Sequence, residues 1–194
     1  MQNVGWQVNL MSKKSLFSIL AVLLLTCSLI SGCGAKVESP ILGEWAYIHD
    51  DATLILQLKD NGEAIFKNEK YKFTDENGFL ILKASGKEDL KLRYIMDKED
   101  ILLYEHEDLY YQGEGAPEGL IGLWKNEETK WSMEFSEEGT FLEETFFPGH
   151  YTVDEANSSF KLMYTDNFED TTCYYTIDGN TLHLEYPWKM VRMK

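Results

Sequence analysis

Few residues in this 194-residue chain have a type and spacing that could do chemistry, and the three cysteines stand first among them. Cys33 follows the small pair Ser31-Gly32. That pair closes an apolar run over residues 16–30, and Lys13 and Lys14 precede the run. Small side chains let extended backbone enter the narrow groove of a peptidase. A thiol just past the cut would become the new N-terminal residue, open to acylation. Cys27 lies inside the apolar run with no small residues before it. Cys173 lies in Thr171-Thr172-Cys173-Tyr174-Tyr175-Thr176-Ile177, a strand-like run with no base nearby, and reads as a buried, inert thiol.

Other reactive types form no constellation. His49, His106, His150 and His183 are dispersed, whereas a zinc site needs three or four convergent ligands. The acidic turn Asp166-Asn167-Phe168-Glu169-Asp170 lacks the central glycine of a calcium loop. There is no Gly-x-Ser-x-Gly, no phosphate-cradling glycine loop and no His-Glu-x-x-His. Two facing carboxylates could hydrolyse glycosides, but 33 acidic residues give no way to select a pair. The expectation is therefore no cofactor, no metal and no nominated catalytic residue. The aromatic residues Trp45, Trp124, Trp131, Trp188, Tyr110, Tyr111, Tyr174 and Tyr175 could line a groove or an interface, with core packing accounting for most of them.

The N-terminal segment resembles a bacterial lipoprotein signal peptide, with Ile30-Ser31-Gly32-Cys33 matching its lipobox. The apolar run is short for a bilayer span, which needs ~20 residues. The resemblance implies a signal-peptide helix within 1–32, cleavage before Cys33 and a lipid on that cysteine. Residues 1–10 carry no charge and fit no part of such a leader, so translation is expected to start at Met11. Residues 33–40 form a polar tether. Removing a leader with two lysines and no acid takes the formal charge from −15 to −17. That excludes nucleic acid as a partner, because phosphate binding needs a basic stripe. It also leaves the lipid on Cys33 as the hold on the membrane, at the extracytoplasmic face.

Beyond the tether the sequence repeats itself in order. Leu42-Gly43-Glu44-Trp45 answers Ile121-Gly122-Leu123-Trp124. Asp60-Asn61-Gly62 answers Glu137-Glu138-Gly139. Lys70-Tyr71-Lys72-Phe73 answers His150-Tyr151-Thr152-Val153, and Tyr94-Ile95-Met96-Asp97 answers Tyr175-Thr176-Ile177-Asp178. Repeat one covers 41–112, a glycine-rich linker 113–119, and repeat two 120–194. Within both, apolar residues alternate with polar ones: Leu90, Leu92, Tyr94 and Met96; Trp131, Met133 and Phe135; Leu182, Leu184 and Tyr186. Period two means half-buried strands, and short Asn-Gly and Asp-Gly turns make neighbours antiparallel. The chain is thus expected to be all-β, an antiparallel meander of six to eight short strands per repeat.

The Gly-x-Trp opening of each repeat and the hairpin Ile177-Asp178-Gly179-Asn180-Thr181-Leu182-His183-Leu184 are similar to the lipocalin/calycin superfamily, and to short lipocalin-like domains of bacterial lipoproteins. The resemblance implies two small barrel or half-barrel repeats, with Gly43, Trp45, Gly122 and Trp124 at the closed ends. It implies a basic residue of the last strand packed across a closing tryptophan. Arg192 is expected to take that role on Trp124, with Gln112 at the matching place in repeat one. Either each repeat closes alone or the two share one core. An eight-stranded barrel only just fills with side chains or holds one small ligand. The functional expectation is a non-catalytic module of the cell envelope that binds a small ligand or an envelope protein. The alternatives are an envelope hydrolase and a structural surface protein without ligand.

Overall fold

The computed structural model describes residues 36–50 and 53–194; the leader, its lipobox and Cys33 lie outside the described residues. Fourteen strands run in chain order: β1 Gly43–Tyr47, β2 Leu56–Leu58, β3 Glu63–Phe66, β4 Glu69–Glu76, β5 Phe79–Lys83, β6 Leu90–Asp97, β7 Asp100–Tyr111, β8 Gly122–Lys125, β9 Ser132–Phe135, β10 Thr140–Glu143, β11 Phe147–Asp154, β12 Ser159–Tyr164, β13 Thr171–Asp178 and β14 Thr181–Arg192. Among the described residues the only helical turn is a 3-10 turn, Glu155–Asn157. The fold is all-β, with seven strands in each repeat and every pairing antiparallel. Turn chemistry fixes the hairpins. Asn77 and Gly78 between β4 and β5 both have positive φ, at 53° and 84°, the twist that two-residue hairpin loops require.

The meander closes into a ring of fourteen strands, β1 pairing with β14. A further pairing changes its meaning. The two longest strands, β7 and β14, also pair with each other over ten residue pairs, from Thr181↔Tyr110 to Met190↔Ile101. This ribbon divides the ring into two closed circuits of eight strands. One is β1 to β7 plus the end of β14; the other is β8 to β14 plus the end of β7. Each repeat supplies seven strands of its own barrel and borrows the eighth from the other repeat.

The cores follow the same exchange. The first gathers Trp45, Leu56, Leu58, Phe66, Phe73, Leu80, Leu82 and Leu103 with Met190 from repeat two. The second gathers Trp124, Met133, Phe135, Phe141, Phe160, Leu162 and Cys173 with Leu109 from repeat one. Leu109 and Met190 are wholly buried, and burying such a side chain is worth about 1.5–3 kcal/mol. Neither core is complete without the other repeat.

Exchange also corrects the expected closure. Arg192 does not meet Trp124; its guanidinium lies 4.4 Å over the ring of Trp45, its register partner on β1. It donates to the carbonyls of Leu42 and Pro40. The last strand crosses to the other repeat, and its terminal side chain goes with it. Repeat one answers with Tyr111, not Gln112: the Tyr111 ring stands 5.2 Å from that of Trp124, its register partner on β8. Both tryptophans are wholly buried, and each indole N–H donates to the carbonyl four residues back, Ile41 at 2.8 Å and Leu120 at 2.7 Å. The glycine of Gly-x-Trp makes room for the closing group. A Cβ on Gly43 would fall 2.3 Å from Arg192 Nη1, and one on Gly122 2.5 Å from Tyr111 Cε2.

One segment of the sequence repeat shifts by two residues. Phe73 N–H donates to the Gly62 carbonyl at 3.0 Å, and Tyr151 N–H to Gly139 at 2.8 Å, so Phe73 answers Tyr151. Tyr71 then answers Gly149. Across the ladder Tyr71 faces Ala64, whereas Gly149 faces Phe141. Each barrel seats one ring in this space, from opposite strands. A Cβ on Gly149 would lie 2.4 Å from Phe141 Cε1.

The exchanged ribbon predicts that covalent continuity between the repeats is dispensable once the chain has folded. Cutting the folded protein at a protease site placed within 113–119 is expected to leave both fragments in one particle on size-exclusion chromatography. Separation of the fragments without denaturant would contradict the exchange.

Candidate functional site

Strand period two puts Ile101, Leu103, Glu105, Glu107, Leu109 and Tyr111 on one face of β7. Leu182, Leu184, Tyr186, Trp188, Met190 and Arg192 share one face of β14. The ends of these rows enter the two cores. The middle residues, Glu105, Glu107, Tyr186 and Trp188, enter neither as buried members. They sit where the ribbon passes from one barrel to the other, and a row that must leave one core before joining the next has room there for polar groups.

A half-open cavity of about 700 Å³ occupies this waist and runs into the mouth of the second barrel. Its wall is aromatic: Trp131, Phe147, Tyr164, Phe168, Tyr186 and Trp188 line it. Ile48 and His49 reach it from the segment after β1, so both repeats contribute. The rings are mutually packed. Trp131 meets Tyr186 edge-on at 5.1 Å, Tyr186 meets Trp188 at 5.4 Å, and Trp188 meets Tyr47 at 5.6 Å. In the same lining Phe168 lies 5.2 Å from Phe147 and 5.7 Å from Tyr164.

A carboxylate stands at each end of this aromatic chain. Glu105 is buried, accepts a hydrogen bond from Tyr47 Oη at 2.6 Å and is ion-paired with Lys67. It is a neutralised pair. Burial, reinforced by the Glu105 carboxylate, raises the Tyr47 phenol well above its ordinary value. Glu143, only 8 % exposed, has no cationic partner among its hydrogen bonds. Its Oε1 accepts from Trp131 Nε1 at 2.8 Å and its Oε2 from Tyr164 Oη at 2.6 Å. Tyr164 and Tyr186 share a hydrogen bond at 3.2 Å. Burial lifts the Glu143 carboxyl above its ordinary 4.5, against the downward pull of those two donors. Burial likewise raises the phenols of Tyr164 and Tyr186, with the Glu143 carboxylate adding to both.

The repeats show how this site arose in one barrel only. The lateral row Trp45, Leu56, Phe66, Glu69 crosses β1 to β4, and Trp124, Met133, Glu143, Phe147 crosses β8 to β11. Acid and aromatic have changed places. In repeat one Phe66 is buried and Glu69 exposed; in repeat two Glu143 is buried and Phe147 is half-buried at the mouth. Barrel one closes over an apolar row, and barrel two opens beside a buried carboxyl group.

Of the residues singled out from sequence, Gly43, Trp45, Gly122, Trp124 and Arg192 lie outside this cavity's lining. Trp131 and Trp188 line it. Tyr174 stacks beneath the Arg93 guanidinium at 3.9 Å and beside the buried Tyr104 ring at 5.4 Å, while Tyr110 is exposed. His183 is exposed and bonds Asp108 at 2.7 Å, and His106 bonds the Lys91 carbonyl at 2.8 Å. Among the described residues no group of three or more histidine, cysteine or acidic residues could hold a metal. Cys173 is wholly buried in the second core, and burial pushes its thiol up, away from a reactive thiolate. Glu143 was not nominated. Its signal was an acid at the repeat position that holds phenylalanine in the other half, visible only after pairing the two.

The raised carboxyl predicts a pH signature. The folded state holds the Glu143 proton more tightly than the unfolded chain, so ionised Glu143 costs stability above its folded pKa. That cost is relieved as pH falls toward 4.5. Urea denaturation of Glu143→Gln should show its largest gain over the parent near pH 7, shrinking toward pH 4.5. A gain independent of pH would contradict the assignment.

Compared with known proteins, the chain matches no family model, no curated protein and no solved structure.

Proposed function

We propose that the chain is a lipid-anchored, extracytoplasmic lipoprotein, tethered through Cys33, that binds a small ligand non-catalytically in the waist cavity. The observation carrying the binding half is the cavity itself. A space of about 700 Å³, lined by six aromatic side chains with one buried carboxylate, falls within the range of small-molecule sites. The apolar rim supports the same reading. Ile48, Phe168 and Trp188 are large hydrophobic residues left 43 %, 54 % and 43 % exposed, and all three border this cavity. Exposed apolar side chains gathered at one mouth are characteristic of a surface that receives something, whereas scattered ones need no explanation. The anchoring half rests on the lipobox-like tetrapeptide Ile30-Ser31-Gly32-Cys33 and the preceding apolar run.

The two halves are tested separately. The neutral apolar dye N-phenyl-1-naphthylamine should bind saturably at one site and quench Trp131 and Trp188. Thr171→Trp, which fills the mouth from β13, should abolish that binding. Uptake unaffected by Thr171→Trp would place the site elsewhere. For the anchor, Cys33→Ala should move the protein from the membrane to the soluble fraction of producing cells, and membrane retention of the processed variant would refute lipidation.

A further inference from the structure

The charge at the waist cavity decides what kind of ligand it takes. Its lining holds four carboxylates, Glu107, Glu143, Glu144 and Glu169, against one ammonium, Lys189. Lys189 is already engaged, 3.8 Å from Asp100 and 4.0 Å from Asp97. His49 is the one other titratable base in the lining. An anionic ligand would enter a negative field in a partly desolvated site, where charge interactions are stronger than in water. A neutral apolar ligand would use the rings and leave the buried carboxylate unpaired.

Glu143 is held ready for a cation. Its two oxygens each accept one hydrogen bond, from Trp131 and Tyr164, while a carboxylate offers about four acceptor directions. The donors fix the carboxylate's orientation and include no cation. Trp131, Tyr186 and Trp188 line the same cavity, and the face of an electron-rich ring attracts a cation. Glu105, at the other end of the aromatic chain, is instead ion-paired with Lys67, so of the two acids on that chain only Glu143 lacks a cationic partner among its hydrogen bonds.

On the reading of the cavity as a small-ligand site, we infer that its ligand is an organic ammonium ion. The charged head sits against Glu143 among Trp131, Tyr186 and Trp188, and an apolar body extends toward the rim at Phe168. The field of a chain with a formal charge of −15 raises the local concentration of cations near its surface.

The test uses three probes that differ in charge: choline, its neutral isostere 3,3-dimethylbutan-1-ol, and hexanoate, titrated by tryptophan fluorescence and calorimetry. Choline is expected to bind at least about tenfold more tightly than the alcohol, with hexanoate weakest. Glu143→Gln should abolish the preference for choline over the alcohol. Trp188→Leu, at an exposed rim position the core does not need, should weaken choline several-fold with the circular dichroism spectrum unchanged. Equal affinity for choline and the alcohol, or tighter binding of a neutral sugar such as glucose, overturns the ammonium assignment and leaves the ligand site standing. A choline preference that survives both substitutions overturns the placement at Glu143. Binding of none of the probes, together with no saturable uptake of the naphthylamine dye, overturns the ligand site as well.

Discussion

The antiparallel pairing of β7 with β14 is the constraint on which the rest of the structure depends. Twelve residues is more strand than one small barrel wall needs, so each of these strands begins in its own barrel and ends in the other. That overlap supplies the eighth strand of both barrels and buries Leu109 and Met190 in the opposite core. It also carries the closing groups Tyr111 and Arg192 across to Trp124 and Trp45. A seven-stranded repeat alone would leave two open edges, and an open edge exposes unpaired backbone groups that invite aggregation. The exchange removes those edges without lengthening either repeat.

The same ribbon creates the site. Its inner face must pass from one apolar core to the next, and in the gap the period-two row places Glu105, Glu107, Tyr186 and Trp188. Lys67 neutralises Glu105, while the aromatic side chains continue into the mouth of the second barrel and end on Glu143. Asymmetry between halves of the same strand order is what opens one mouth. Phe66 fills a wall position in barrel one; the equivalent Glu143 needs donors and room in barrel two, and Trp131 and Tyr164 supply the donors. A buried carboxylate held only by neutral donors reduces stability near neutral pH, a cost that a ligand of opposite charge would offset.

Much of the fold was legible from alternation and turn chemistry. Leu90, Leu92 and Tyr94 announced β6, and Asn77-Gly78 announced the hairpin between β4 and β5. The repeat was legible where backbone geometry demanded particular residues, as at Gly43-x-Trp45 and Gly122-x-Trp124. It was misread by two residues at Tyr71 and Tyr151. There packing conserves a ring in space rather than a residue in sequence, and Ala64 with Tyr71 does the work of Phe141 with Gly149. The partner of Arg192 was misassigned for a related reason: side-chain type pointed to a closing role, but strand exchange set which barrel it closes.

By itself, then, the sequence determined an all-β meander in two repeats and a buried, unreactive Cys173. These follow from local period, turn residues and side-chain type, which act over a few residues. Tertiary structure alone decided that the repeats trade their last strands, that Arg192 belongs to Trp45, and that one glutamate among 33 acids lies buried in an aromatic cavity. Strand exchange joins residues about 80 positions apart through backbone pairing, and any two strands of matching period could make those hydrogen bonds. The choice among them was made by closure of both barrels at once, a property of the whole chain.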